Sequence, residues 1–439
     1  MYRILIIAIL GILTSLFYFP AVPKVYPSIN SKMILAGIGT VLLLYNLATH
    51  KDNINQKNYV ILFTFSSLVS LIGYIAIVFN NTPDLSYATY FVSMFTWLLG
   101  AYMVTSLIRM YHGKLTFSLL SNYIIGVCVF QCIISLLIYY VPLVKNLVDS
   151  IFVSGIDFLE NRGEKRLYGI GSLLDTAGIR YSIALILCAS LIVESAINRF
   201  RNEIAIYIIC FLIIGFIGNM VARTTIVGVI LGFLYIIVKT RFFTSTVVSL
   251  GKYFWGTIVV LIIITAPIGT YLYNQNRDFK RQIDFGFEGV ISLVSSGEWK
   301  VGSNTQLKRM VVFPDNAKTW IIGDGYFNNP AGIDQYYTGE ITGGYYKNSD
   351  IGYIRFIFYF GITGLIAFSI FIIKAGDLCK VQWKTHKLIF SFLILLNFIV
   401  WLKVATDVFV IFAYFLANKP VPDESDCSEE DSETQYLPS

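Results

Sequence analysis

The sequence predicts an all-α polytopic membrane protein with about twelve transmembrane helices and two long extracytoplasmic loops. Two features of the composition and one of the pattern predict it. The 439 residues are 56% apolar and only 14% charged, with a mean hydropathy of +0.67. Aromatic residues reach 16%, and Tyr and Trp favour membrane interfaces. Apolar runs recur at the length a spanning helix needs. The lipid bilayer is therefore an expected partner, and nucleic acid is not.

Twelve apolar stretches have the length, or nearly the length, to cross a bilayer. The first is short and follows Arg3, so it is interpreted as an anchor, with a signal peptide as the alternative. The last two are also short and are open to interpretation as one bent segment. The stretches are 3–19, 33–48, 59–79, 87–108, 117–141, 178–198, 203–221, 225–238, 253–273, 350–373, 388–402 and 404–417.

Basic residues divide the short connections into two sets. One set is rich in Lys and Arg, whereas the other contains mainly Lys24, Lys32 and Arg223. Since short cytoplasmic loops retain Lys and Arg, the rich set is predicted to be cytoplasmic, with both termini inside. The rich set comprises Arg3, Lys51, Lys57, Arg109, Lys114, Arg199, Arg201, Lys239, Arg241, Lys252, Lys374, Lys380, Lys384 and Lys387.

The predicted organisation is one transmembrane domain, 1–421, followed by an acidic cytoplasmic tail, 422–439, without regular structure. Two outward loops, about 142–177 and 274–349, interrupt the domain. The second carries eight basic and eight acidic side chains. A loop of that size suits an enzyme that holds its substrate on the outer face. The alternative is a folded cap with no chemical role.

Several kinds of site are excluded by their missing motifs. The chain has no GxxxxGK[ST] phosphate loop, no HExxH and no Cys/His cluster, so ATP hydrolysis and a zinc site are not expected. Neither long outer loop contains a D-x-D pair that would hold a metal-bound nucleotide sugar. The three histidines map to the cytoplasmic side, which excludes an outward histidine base. No cofactor and no metal are expected.

Four arginines are predicted at the outer interface: Arg166, Arg180, Arg223 and Arg309. A guanidinium stays protonated and binds diphosphate oxygens through a two-pronged fork. Together they would hold a lipid diphosphate and stabilise the charge that develops on a leaving group. The alternatives are solvated or ion-paired loop arginines and side chains that reach from the bilayer edge to water. Lys403 and Asp407 are interpreted as a pair of neighbours, four residues apart.

Asp350 is the acid placed at the start of an outward-facing span, in "NSDIGYIRFIFYFGITG". One interpretation is a helix cap, and the other is a base that accepts a proton from an acceptor hydroxyl. Arg355 does not share its helical face, and a buried partner or a lipid phosphate is expected there. Four tyrosines are candidate stacking surfaces for sugar rings, with interfacial packing as the alternative: Tyr336, Tyr337, Tyr346 and Tyr353.

Four segments in order resemble the superfamily of bacterial polysaccharide polymerases (Wzy-type) and O-antigen ligases (WaaL-type). The resemblance covers roughly residues 160–373 and the overall topology. The segments are "RLYGIGSLLDTAGIRYSIAL", "GNMVARTTIVGVILGFL", "RMVVFPDNAKTWIIGDGYF" and "NSDIGYIRFIFYFGITGLIAF". In the family these correspond to an Arg–Gly stretch entering a span, an arginine-containing span start, a large-loop segment ending in G-x-G, and the entry to the next span.

The resemblance implies a GT-C-like glycosyltransferase of the bacterial inner membrane, active on the periplasmic face. Its substrate would be an undecaprenyl-diphosphate-linked oligosaccharide, its partner a chain-length regulator, and its diphosphate ligands Arg166, Arg223 and Arg309. Ligase-type relatives carry histidine eleven residues before the glycine of "G-I-x-G", where this chain has Asp350. That departure favours an O-antigen or capsular polysaccharide polymerase.

Two alternatives remain open from the sequence. The first is a ligase that transfers finished glycan to lipid A core or protein. The second, from another class, is a flippase for lipid-linked oligosaccharides. A flippase should have a charged central cavity and short outer loops, whereas here the charges gather at the outer rim and the loops are long.

Overall fold

The computed structural model describes residues 2–49, 54–154, 166–198, 200–240, 267, 269–339 and 344–420. Within those ranges the chain is helical, with two isolated β-bridges and no β-ladder. Three 3₁₀ turns lie at Pro330–Gly332, Tyr346–Asn348 and Lys384–His386. The α-helices are α1 (Tyr2–Tyr18), α2 (Ser31–Ala48), α3 (Gln56–Asn80), α4 (Tyr90–His112), α5 (Phe117–Tyr140), α6 (Pro142–Ile151), α7 (Leu174–Ile197), α8 (Arg201–Val221), α9 (Thr225–Thr240), α10 (Arg277–Gly286), α11 (Glu288–Ser296), α12 (Gly302–Arg309), α13 (Ala317–Ile321), α14 (Gly352–Gln382), α15 (Lys387–Val400) and α16 (Phe409–Leu416).

Among the described residues, seven helices are long and apolar enough to cross a membrane. They are α2, α3, α4, α5, α7, α8 and α14, and two shorter apolar helices, α1 and α9, accompany them. The expected all-helical, multi-pass architecture is confirmed. The number twelve stays a prediction, because α15 and α16 have only 14 and 8 residues. The expected span 253–273 lies mostly outside the described residues, and the tail 422–439 lies entirely outside them.

Polar residues set several helix starts. Asn30 accepts a hydrogen bond from the backbone N–H of Met33, and Thr116 accepts one from that of Leu119. Each satisfies one of the N–H groups that the first helical turn leaves without a partner. The predicted outer loop 142–177 begins with a helix, since α6 follows directly after α5 with Pro142 in its first turn.

Helix α7 forms the centre of the bundle. Of the 18 residues in its most apolar stretch, 89% are buried inside the protein, the largest share of any candidate span in the described residues. It packs against α5, α8, α9 and α15. Gly228 of α9 allows the closest approach, since a Cβ there would lie 2.6 Å from Cβ of Ser182. Glycine at such a crossing lets two backbones pack with little separation.

The long helix α14 is broken near its first third. Phe360 (φ −140°, ψ 23°) and Gly361 (φ 68°, ψ −174°) leave helical geometry, so nearby carbonyls lose their partners within the helix. The "GDG" turn of the loop predicted to face outward, 274–349, here called the large outer loop, supplies replacements: the N–H of Asp324 donates to Phe358 O at 2.6 Å, and that of Gly325 donates to Tyr359 O at 3.0 Å. Irregular backbone at membrane depth persists where protein satisfies it, so this turn fixes the large loop to α14.

The break in α14 generates a stability prediction. Gly361→Ala should lower the free energy of unfolding by about 2 kcal/mol or more, because of its positive φ and because a Cβ would overlap the Ile321 carbonyl oxygen. The readout is the midpoint of thermal unfolding in detergent. Gly37→Ala is the matched control, since no atom lies within 4 Å of a Cβ at that helical glycine. Equal midpoints for the two variants would contradict the account of the break.

Candidate functional site

A charged cleft lies at one end of the bundle, where α7, α9 and α14 begin and α8 and α15 end. Its volume is about 350 Å³. Helices α10 to α12 of the large outer loop form its other wall. Six charged side chains line it: Arg166, Asp175, Arg223, Glu288, Asp350 and Lys403. Consecutive spans alternate in direction, so the last turns of α7 and α9, the latter with Lys239, lie at the opposite end of the bundle.

Arg166 and Arg223 are brought together on one aromatic ring. The guanidinium carbons lie 4.5 Å and 4.2 Å from the centroid of Phe285 in α10. Arg223 occupies the short turn between α8 and α9, and its Nη1 lies 2.6 Å from Oε2 of Glu288. The same nitrogen donates to Ser303 Oγ at 3.3 Å. The large outer loop therefore supplies both the ring and the carboxylate that hold the arginines in place.

Lys403 forms the third cation of the cleft. Its Nζ lies 2.7 Å from Oδ1 of Asp175 in the first turn of α7, and it donates to Thr224 Oγ1 at 3.1 Å. Thr224 Oγ1 in turn donates to the same carboxylate oxygen. The pairing of Lys403 with Asp407 expected from their spacing is wrong. Asp407 instead accepts hydrogen bonds from Tyr90 Oη and from the backbone N–H of Phe409, the first residue of α16, because the chain between Lys403 and Asp407 does not continue as a helix.

Asp350 lines the cleft, and no described side chain or backbone group engages its carboxylate. Among the described residues, no group donates a hydrogen bond to it and none forms an ion pair with it. It does not cap α14, because the N-cap position belongs to Ile351. The start of α14 packs against the loop after α15: Tyr353 N donates to Trp401 O at 3.1 Å, and a side chain at position 352 would meet the backbone of that loop. This contact places Asp350 beside Lys403.

Burial raises the pKa of the Asp350 carboxyl above its ordinary value, and the neighbouring Asp175 carboxylate raises it further. Arg355 and Lys403 act in the opposite direction. A carboxylate with a raised pKa holds a proton more tightly and is a stronger base. The arrangement therefore offers a group that can accept a proton beside three cations that can bind an anion.

Two of the four predicted arginines lie outside this cleft. Arg309 ends α12 and is exposed, whereas its neighbours Leu307 and Met310 line the cleft. Arg180 lies about 9 Å further along α7 than Leu174, at a rise of 1.5 Å per residue, and lines a separate small cavity. The structure thus brings Arg166 and Arg223 together with Asp350, and it does not bring Arg180 or Arg309 to them.

The four tyrosines proposed to stack on sugars are not in the cleft either. Tyr353 donates to Phe398 O at 2.9 Å, and Tyr346 is buried and donates to Asp324 at 3.1 Å. Tyr337 packs edge-on against Tyr326. Only Tyr336 of the four presents its ring openly, at 89% exposure. Among the described residues, two of the four tyrosines thus pack against the large loop and a third, Tyr353, packs against α15.

The expected buried partner of Arg355 is found. Its guanidinium carbon lies 3.5 Å from the ring centroid of Tyr345 and 3.8 Å from that of Phe327. One nitrogen also donates to Phe327 O at 3.1 Å. Guanidinium faces stack well on aromatic rings. This contact ties α14 to the outer loop on both sides of residues 340–343.

Sequence reasoning missed Asp175, Glu288, Lys403 and Phe285 as cleft residues. Asp175 and Lys403 are 228 positions apart, so no local pattern links them. Their places in the sequence offered one signal, since Asp175 and Lys403 each lie beside the end of an apolar span, and both of these ends are predicted to face the same side of the membrane. Among the described residues, no group of three or more His, Cys, Asp and Glu side chains is arranged to hold a metal ion.

Comparison of the chain with protein-family models, with curated proteins and with solved structures finds no match.

Removal of the Lys403 ammonium tests how far the cleft depends on it. Lys403→Met should lower the free energy of unfolding by about 1–2 kcal/mol, because it leaves the carboxylate of Asp175 without its cation at a site that is 27–29% exposed. Lys300→Met is the control, since its pair with Glu298 is more than 60% exposed and should contribute under about 0.5 kcal/mol. The measurement is thermal unfolding in detergent. Similar losses of stability in both variants would contradict the conclusion that the Lys403–Asp175 pair stabilises the cleft.

Proposed function

We propose that this protein is a GT-C-like membrane glycosyltransferase that polymerises undecaprenyl-diphosphate-linked oligosaccharide units into O-antigen or capsular polysaccharide. It would act on the periplasmic face of the bacterial inner membrane. The observation that carries the proposal is the cleft itself: Arg166, Arg223 and Asp350, selected from separate parts of the sequence, line one cavity at one end of the membrane helices. The cavity also adjoins the two long loops expected on the outer face.

The cations of the cleft suit a diphosphate. Arg223 and Lys403 are paired with Glu288 and Asp175 in the structure. A diphosphate would exchange with Glu288 at the guanidinium of Arg223, since phosphate oxygens accept the same fork of N–H donors. The ring of Phe285 keeps the two arginines in place during this exchange. Charge that develops on the departing diphosphate would be stabilised by donors already in position.

The reaction is a single displacement. A hydroxyl oxygen of the non-reducing sugar of one unit bonds to the anomeric carbon of the other, and the bond from that carbon to the diphosphate oxygen breaks. The hydroxyl proton passes to the carboxylate of Asp350, and undecaprenyl diphosphate leaves with the electron pair. The displacement inverts the anomeric centre. The exposed ring of Tyr336 is a candidate contact for the glycan, and a chain-length regulator is an expected partner at the outer loops.

Glycan analysis of a deletion strain tests the proposed function. Single repeat units on the cell surface are expected, because export and attachment would continue without polymerisation. Bare acceptor with accumulated lipid-linked polymer would instead indicate the ligase. Lipid-linked units retained on the cytoplasmic face would indicate the flippase.

Substitution of the proposed base separates chemistry from folding. Asp350→Asn should lower the polymerisation rate by about 10²–10⁴-fold, the usual contribution of a positioned base. In the wild type the rate should rise with pH through the raised pKa of Asp350, because the base acts deprotonated. The measurement is initial rate against pH with purified protein and lipid-linked units.

Stability provides the control for this variant. A carboxyl whose pKa is raised in the folded state stabilises the fold at low pH, and that contribution is lost as pH rises. At neutral pH the neutral amide should therefore leave the unfolding midpoint unchanged or higher. Full-length polymer from Asp350→Asn at normal expression would remove Asp350 as the base.

The guanidinium fork is tested at Arg223. Arg223→Lys keeps the charge but loses one of two parallel hydrogen bonds to the diphosphate, so kcat/KM should fall about tenfold to a hundredfold. The assay is polymerisation at limiting lipid-linked substrate. Arg281→Lys on the same outer loop is the matched control, because Arg281 is exposed and does not line the cleft. Wild-type kinetics for Arg223→Lys would contradict the proposed diphosphate contact.

A further inference from the structure

A second, smaller cavity lies beside the cleft and shares no lining residue with it. Its volume is about 70 Å³. Asp175 lines the cleft and the next residue, Thr176, lines this cavity. In the same way, Lys403 lines the cleft and Thr406 lines the second cavity. The two cavities therefore flank the same two stretches of chain. The second cavity is lined by Trp97, Thr176, Ile179, Arg180, Thr406, Asp407 and Val410.

The guanidinium of Arg180 faces this cavity without an acceptor. Among the described residues it donates no hydrogen bond and forms no ion pair. Its contacts are aromatic: its Cζ lies 5.4 Å from the ring centroid of Phe19 and 5.8 Å from that of Trp97. An arginine in an apolar setting is costly unless its donors are satisfied. The arrangement calls for an acceptor that enters the cavity.

A second cation lies against the same ring. Nζ of Lys32 is 4.1 Å from the centroid of Trp97, and within the described chain it has no hydrogen-bond acceptor. Among the described residues, the one carboxylate that lines the cavity is that of Asp407, and it already accepts from Tyr90 Oη at 3.2 Å and from Phe409 N at 2.9 Å. Arg180 lines the cavity and Lys32 lies against the Trp97 ring that also lines it, so two cations lie near one engaged carboxylate and the site is net positive.

The size of the cavity suits one phosphate group. A water molecule needs about 10–15 Å³ of such space, so about 70 Å³ accommodates around five non-hydrogen atoms. That is the number of atoms in a phosphate. The hydroxyl of Thr406 adds a donor to those of Arg180, whereas the hydroxyl of Thr176 already donates to Leu173 O at 2.8 Å.

We propose that this cavity binds a phosphate group of a second polyprenyl-diphosphate-linked molecule, next to the molecule held in the cleft. The proposal rests on the proposed function, because polymerisation joins two units that each carry a lipid diphosphate. The ion pair between Lys403 and Asp175 would then lie between the two heads. Donor and acceptor lipids would enter at the same end of the bundle, each with its own cations.

The test is equilibrium binding of radiolabelled farnesyl diphosphate to the full-length protein in lipid nanodiscs. Wild type should bind two equivalents. Arg180→Gln and Lys32→Gln should each weaken one equivalent about tenfold or more, the effect expected when a charged hydrogen bond is lost. Arg223→Gln should weaken the other equivalent. Arg180→Lys, which keeps the charge, should restore part of the binding.

Lys24→Gln is the matched control, since Lys24 is an exposed base in the connection that leads into α2, whose first turn carries Lys32, and it lines neither cavity. One equivalent in the wild type would overturn the proposal, as would binding by folded Arg180→Gln and Lys32→Gln equal to that of Lys24→Gln. Inorganic diphosphate is tested in parallel. If it fills the Arg180 site while farnesyl diphosphate does not, the anion is free and the lipid assignment is wrong. If the wild type binds two equivalents that respond to these substitutions as expected but synthesises no polymer, only the proposed function is contradicted.

Discussion

The ion pair between Lys403 and Asp175 is the interaction on which the rest of the charged end depends. It joins the first turn of α7, the most buried of the candidate spans among the described residues, to the loop between α15 and α16. That loop also receives the start of α14, which carries Asp350. A single contact between residues distant in sequence therefore sets the positions of the proposed base, the third cation and the wall shared by both cavities. Its partial burial gives it more weight than a surface pair has.

Backbone satisfaction explains how the large outer loop is fixed to the membrane helices. The break in α14 frees carbonyl groups that the turn around Asp324 occupies. Arg355 fixes the same loop through Phe327 and Tyr345. The loop in turn provides Phe285 and Glu288 to the cleft arginines. The unusual charge of Arg355 inside an apolar helix thus belongs to the scaffold that positions the site, whereas the carboxylate of Asp350 remains available for chemistry.

Much of the helical architecture follows from the sequence, because the length of an apolar run is a local property. The positions of α3, α5 and α14 were predictable in this way. Arg166, Arg223 and Asp350, which the sequence selected, line one cleft, and their roles stay predictions. The pairing of Lys403 was not predictable, because its partner lies 228 positions away and the nearer Asp407 offered a simpler explanation. The packing of the tyrosines depends on distant residues in a similar way: Tyr346 and Tyr353 donate to acceptors that only the folded loop and the neighbouring helix provide.

A structure of the protein in nanodiscs with a bound lipid-diphosphate oligosaccharide would test the central claim most directly. The account predicts diphosphate oxygens within hydrogen-bond distance of Arg223 and Arg166, with Glu288 displaced from Arg223. It also predicts the carboxylate of Asp350 on the side of the anomeric carbon opposite the diphosphate, where an attacking hydroxyl would sit. A diphosphate bound away from the cleft, or an anomeric carbon that Asp350 cannot reach through one hydroxyl, would contradict it.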